Sequence, residues 1–129
     1  MFYICPICEK DPTSHSFKHV GVFNDTNYFY TCVAKASRYK DRVGILNHYR
    51  GVLNDYSGQP WIWIFDGAGF EAKHAMDMQI AIDLAKLIST YSETLLKIKI
   101  TNPTWHINGI LKIVTPFLSK KAKEVIEII

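Results

Sequence analysis

Two apolar runs constrain this chain more than any other feature. Trp61-Ile-Trp-Ile-Phe-Asp66 stops at Gly67-Ala-Gly69, and Lys97-Ile-Lys-Ile-Thr101 stops at Asn102-Pro103. Each has the length of a buried strand and ends at a polar or glycine/proline corner that feeds a helical pattern. One long segment joins them, Lys73 to Tyr91, with Met76, Ile80, Leu84, Leu87, Ile88 and Tyr91 at helical spacing. Strand, crossover helix and strand predict a right-handed βαβ unit in a parallel sheet.

The remaining elements fit around that unit. His15–Val20 and Tyr28–Val33 read as the strands of an N-terminal hairpin, with a turn at Asn24–Asn27. Ser37 opens a helix whose apolar stripe is Ile45, Leu46, Tyr49 and Leu53. Trp105–Phe117 contains another helix, Ser119 caps a short one, and Val125–Ile129 reads as a last strand. The expected fold is α/β, a mixed and mainly parallel sheet flanked by helices, with an N-terminal hairpin. One domain spans residues 1–129, its residues 1–27 forming an atypical cysteine knuckle and hairpin region.

At 129 residues, 48% hydrophobic and 21% charged, the chain can bury a core without disulfide staples. Three cysteines fit a reducing compartment, and the N-terminus lacks a secretory pattern, so the expectation is cytoplasmic. A net charge of +3 is too small to imply nucleic acid. Lysines 97, 99, 112, 120, 121 and 123 follow one another with no acid between them. That run reads as a solvated face, as one drawn to an anionic membrane, or as one that meets a partner protein.

Catalytic patterns are missing. Gly67-Ala-Gly69 lacks the third glycine of a dinucleotide corner and the lysine of a P-loop. Asp66 and His74 could form half a hydrolytic triad, yet no serine sits in a nucleophile elbow, so the chain reads as no enzyme. His48, His74 and His106 fall on three elements and show no ligand spacing. Cys5, Cys8, His15 and His19 do form a C-x2-C-x6-H-x3-H pattern. On an extended strand the two histidines would stand about 13 Å apart, too far to share one ion. The preferred reading is therefore a Cys5–Cys8 turn packed against Cys32 with no metal and no cofactor, and zinc is the alternative.

From Trp61 to Phe117 the sequence resembles the CRAL-TRIO domain. The residues that carry the likeness are Trp61–Asp66, Gly69-Phe70, Lys73-His74, Tyr91-Ser-Glu93, Leu95, Lys97-Ile98, Asn102-Pro-Thr-Trp105 and Ile110–Leu118. Tyr28–Leu53 is similar to the preceding strand and helix of the family. The resemblance implies a cleft for one lipophilic molecule, such as a phospholipid. It assigns Trp63 and Phe65 to the floor, and Phe70, Met76, Ile80 and Leu84 to the corner and crossover helix. Trp105, Ile107 and Ile110 would close the other side. Family members usually carry a helical region before this domain and further wall after it. A second copy, meeting at the Val125–Ile129 edge strand, would then close the cleft as a homodimer. Some smaller relatives look like protein-interaction modules without a lipid cavity, which supplies the alternative function.

Overall fold

The computed structural model describes residues 3–75 and 77–129. Met76, one of the expected cleft residues, lies outside them. A five-stranded sheet runs in the order β1-β2-β3-β4-β5, formed by Lys18–Phe23, Thr26–Thr31, Trp61–Asp66, Leu95–Thr101 and Ile126–Ile128. β1 and β2 are antiparallel, and every later neighbour is parallel. The expected pair, β3 and β4, runs side by side with Trp63 opposite Ile98 and Phe65 opposite Ile100.

The hairpin turns more tightly than its composition suggested. Phe23 pairs with Thr26, which leaves only Asn24 and Asp25 as the loop, at φ 51° and 62°. Two left-handed residues in a two-residue loop match the twist of the strands, and Asn and Asp tolerate that conformation. β1 begins at Lys18, not at His15, because Ser16 adopts φ 50° and kinks the chain just before it.

Helix α1 is the short Pro6–Lys10, and α2 is Arg42–Asp55. The start of α2 is set by Asp41, whose carboxylate accepts from the Gly44 N–H at 3.1 Å. Ser37 does not cap it; its hydroxyl donates to Asp11 instead. The crossover helix α3 covers Met78–Thr90 and starts later than Lys73, since Asp77 takes the cap position and Ala72–Ala75 form a 3-10 turn. α4 is Trp105–Val114, capped by Thr104, and α5 is Lys120–Glu124, capped by Ser119.

Strand alternation sorts the side chains into two faces. Phe29, Thr31, Trp61, Trp63, Ile98 and Ile100 face the helices and are buried. Tyr28, Tyr30, Ile64, Lys97 and Lys99 occupy the opposite face and remain partly or fully exposed. The aromatic centre of the core is a stack: Phe17 lies 5.1 Å from Phe29 and 4.0 Å from Tyr49. Each such side chain removed from water contributes about 1.5–3 kcal/mol. Their polar atoms are matched. Trp63 Nε1 donates to Thr31 at 2.9 Å, the Thr31 and Tyr49 hydroxyls bond at 3.0 Å, and Trp61 Nε1 donates to the Tyr91 carbonyl.

Gly67 explains how the β3 exit meets α4. A Cβ there would come within 2.3 Å of Ile107 Cδ1 and 2.7 Å of the Asn102 carbonyl oxygen. Only a hydrogen in that place lets the strand end and the helix approach so closely.

Candidate functional site

Between the sheet and helices α2, α3 and α4 lies a cleft of about 460 Å³. Its floor is Trp63, Phe65, Ile98, Ile100 and Ile126, and its walls include Tyr49, Ile80, Leu84, Ile88, Ile107, Ile110 and Val114. Residues that follow the carboxyl ends of β2 and β3, Tyr39, Phe70, Lys73 and His74 among them, line one side of it. Phe70, buried, comes in from the corner after β3. Tyr39, Lys40, Lys73, His74 and Asp77 contribute the polar rim, with both lysines exposed.

Trp63, Phe65, Phe70, Ile80, Leu84, Ile107 and Ile110 are therefore brought together around one space. Trp105 is not. It is 77% exposed and stacks on His106 with ring centroids 3.8 Å apart. The helical period explains the correction: Ile107, Ile110, Leu111 and Val114 form the inward stripe of α4. Trp105, two positions before Ile107, points about 200° away. Sequence reasoning also missed Ile98, Ile100 and Ile126, whose alternation on β4 and β5 already placed them on the Trp63 face.

Asp66 and His74 do not form a pair. Asp66 accepts from the Tyr30 hydroxyl at 2.5 Å, Asn102 Nδ2 at 3.0 Å and the Ala68 N–H at 2.9 Å. Burial opposes its charge, yet these three donors outweigh it and hold the carboxyl below its ordinary range. The same hydrogen bond, with burial, pushes the Tyr30 phenol up. This knot ties the carboxyl ends of β2, β3 and β4 together, and His74 instead accepts from the Glu71 N–H.

The four N-terminal metal candidates also separate. His19 stacks on Tyr56 at 4.5 Å and bonds Asn27 Oδ1 at 2.9 Å, so it is no partner of the cysteines. The kink at Ser16 turns His15 the other way, and its Nδ1 lies 3.5 Å from Cys5 Sγ and 3.4 Å from Cys8 Sγ. His48 of α2, without any ligand spacing in the sequence, completes a group whose ligand atoms all lie within 4.8 Å of one another. Cys32 stands apart, with its thiol donating to the Ala68 carbonyl. Burial pushes the Cys8 thiol up to about 11 and holds His48 below the usual imidazole range.

Comparison with known proteins agrees with this geometry. The CRAL/TRIO domain model matches residues 46–129. The chain belongs to the CRAL/TRIO family. Members of this family are lipid-binding and transfer modules, not enzymes. The solved structure titled "Crystal structure of Sfh5" shares this CRAL/TRIO fold, with a TM-score of 0.64 at 12% identity. The match covers 88% of this chain and 45% of that one, so the chain spans less than half of its structural relative. A search of curated proteins found no match. Among the described residues no helix is long and apolar enough to cross a membrane.

Proposed function

We propose that this CRAL/TRIO chain holds one lipophilic molecule, such as a phospholipid, in the cleft between its sheet and helices, without chemistry. The observation that carries this reading is the size of the apolar space. Cores pack at nearly crystalline density, and voids larger than a water are few. A volume of about 460 Å³ is roughly three times the engineered apolar cavity that admits benzene. Acyl chain in that space gains about 0.8 kcal/mol for each buried methylene. Lys40 and Lys73 at the mouth suit an anionic headgroup, with Asp77 disfavouring more than one negative group beside it.

The lysine-rich stretch gives this reading a docking face. Lys112, Lys120, Lys121 and Lys123 are all exposed, and Trp105, Ile113 and Phe117 are exposed near them in the chain. Contact with an anionic membrane would let a lipid enter from the bilayer. Native mass spectrometry after gentle purification tests the function. The expected result is a co-purifying lipid that is lost in Ile80→Asp and Ile110→Asp. A folded wild-type chain that carries no lipid and takes none from mixed phosphatidylcholine and phosphatidylinositol vesicles contradicts it.

A second reading is an interaction module that pairs through β5. Ile128 and Ile129 at this sheet edge are 54% and 64% exposed. Sedimentation at micromolar concentration separates the two, since pairing through this strand gives a dimer that Ile128→Lys dissociates.

A further inference from the structure

We infer that Cys5, Cys8, His15 and His48 form a structural zinc site that fastens the N-terminal knuckle to helix α2. Three independent observations meet there. The first is distance. With Zn–S near 2.3 Å and Zn–N near 2.0–2.1 Å, the edge of a tetrahedral site from sulfur to nitrogen is about 3.5 Å. His15 Nδ1 lies 3.5 and 3.4 Å from the two sulfurs.

The second is the orientation of both rings. His15 Nε2 donates to Asp41 Oδ2 at 2.9 Å, so the lone pair on Nδ1 faces the cysteines. His48 Nε2 lies 2.8 Å from the Phe17 carbonyl oxygen, which can only accept, so its proton sits on Nε2. That leaves the His48 Nδ1 lone pair bare. Among the described residues it is the one buried side-chain polar atom without a hydrogen-bond partner, on a residue only 8% exposed. A buried acceptor with nothing to accept from destabilises the fold, and a metal ion removes that cost. Metal-bound histidines characteristically give their second nitrogen to a carboxylate or a carbonyl, and here one does each.

The third is what holds residues 3–12 in place. No residue of α1 is buried, and Ile4 is 66% exposed. Apart from Cys5 and from Tyr3, whose ring meets His48 and whose N–H donates to Asp55, little packing holds this segment, and four ligands from Cys5, Cys8, His15 and α2 would fasten it. Gly44 on α2 leaves the room this needs, since a Cβ there would meet His15 Nε2 at 2.7 Å.

Two sulfurs and two imidazole nitrogens in a tetrahedron select zinc over the oxygen-seeking cations. Four protein ligands leave no open position for water or substrate, so the ion is structural. His15 also lines the cleft, so the ion would set one end of its wall.

The full chain, purified without chelator, tests this by elemental analysis and zinc X-ray absorption. One zinc per chain with two sulfur and two nitrogen neighbours is expected. Cys8→Ser, at a half-buried position, should lose the metal, and His19→Ala should keep it. Asp41→Asn retains the helix cap but weakens the hold on His15, and should lower zinc affinity about 10- to 100-fold. A wild-type chain that carries no metal and takes up none from added Zn²⁺ overturns the site, as does a Cys5–Cys8 disulfide in that chain. Zinc unaffected by Cys8→Ser, or a neighbour shell of oxygens, overturns it equally.

Discussion

The parallel body and the N-terminal knuckle solve the same problem, holding a chain in place, by opposite means. The body, from β2 through β5, buries Phe29, Trp61, Trp63, Ile98 and Ile100 under three helices and then leaves a large apolar space among them. The knuckle buries almost nothing apolar of its own and instead gathers polar ligands from positions as distant as His15 and His48. Hydrophobic burial is non-directional and tolerates a void that a ligand can fill. Ligand geometry is directional and tolerates no misplacement. The contrast teaches that the body can afford a variable content, while the knuckle is either assembled or absent.

The sharpest way to break the comparison is at the residue the two regions share. Tyr49 is 2% exposed, stacks on Phe17, bonds Thr31 and sits one position after His48. Tyr49→Ala should destabilise the protein by about 3–5 kcal/mol in urea unfolding, as for other large core truncations. If the regions were independent, a two-step unfolding curve would appear, in which only the body's transition moves.

Filling the void tests the body alone, with the opposite sign. Ala81 and Ala85 of α3 both line the cleft. In an ordinary core, enlarging them would destabilise by overpacking. Here Ala81→Leu with Ala85→Leu should raise the stability of delipidated protein by about 1–2 kcal/mol. The same pair should abolish lipid uptake. Thermal unfolding and native mass spectrometry check the two effects on one sample, and a destabilised double variant would mean that the cleft is smaller than it looks.

A smaller effect should appear at the corner that closes the strands. Because its donors depress the Asp66 carboxyl, the contribution is complete above the unfolded value near ~3.9 and disappears as pH falls through the lower folded one. Asp66→Asn should therefore cost about 1 kcal/mol at neutral pH, the scale of a lost hydrogen bond, and nothing in strong acid. Urea midpoints of both proteins across pH 2–7 should converge at the acid end. A constant gap would assign the loss to packing and not to charge.

What could be read from the sequence follows the same division. The strands β3 and β4 and their parallel pairing came from short apolar runs ending at corners and joined by a helical period, whereas the cleft residues were assigned by the family resemblance. Helix starts were misjudged where two caps competed: Asp41 displaced Ser37, and Asp77 displaced a start at Lys73. The cluster was half legible. Cys5, Cys8 and His15 are close in the chain, but His48 reaches them only because α2 packs against Phe17, a tertiary contact with no local signature. His19 looked equivalent to His15 until the kink at Ser16 separated them, and no spacing rule foresees a left-handed serine.

The smallest expected effect is at Trp105, and it sharpens the boundary of the cleft. A tryptophan at a family corner is easily counted as a wall, yet 77% of its surface is in water and its ring contact is His106. Trp105→Ala removes little buried area, so stability should change by less than about 0.5 kcal/mol. Lipid occupancy in native mass spectrometry should also be unchanged. Exposure of so large an indole next to a lysine-rich stretch does suit the interface of a bilayer, where an amphipathic ring is favoured. Co-sedimentation with phosphatidylserine vesicles should therefore fall in Trp105→Ala while the bound lipid stays. If occupancy fell instead, the ring would have to turn inward when the cleft is full. The cleft would then be closed by the helix α4 corner, and not by the apolar stripe of Ile107, Ile110 and Val114 alone.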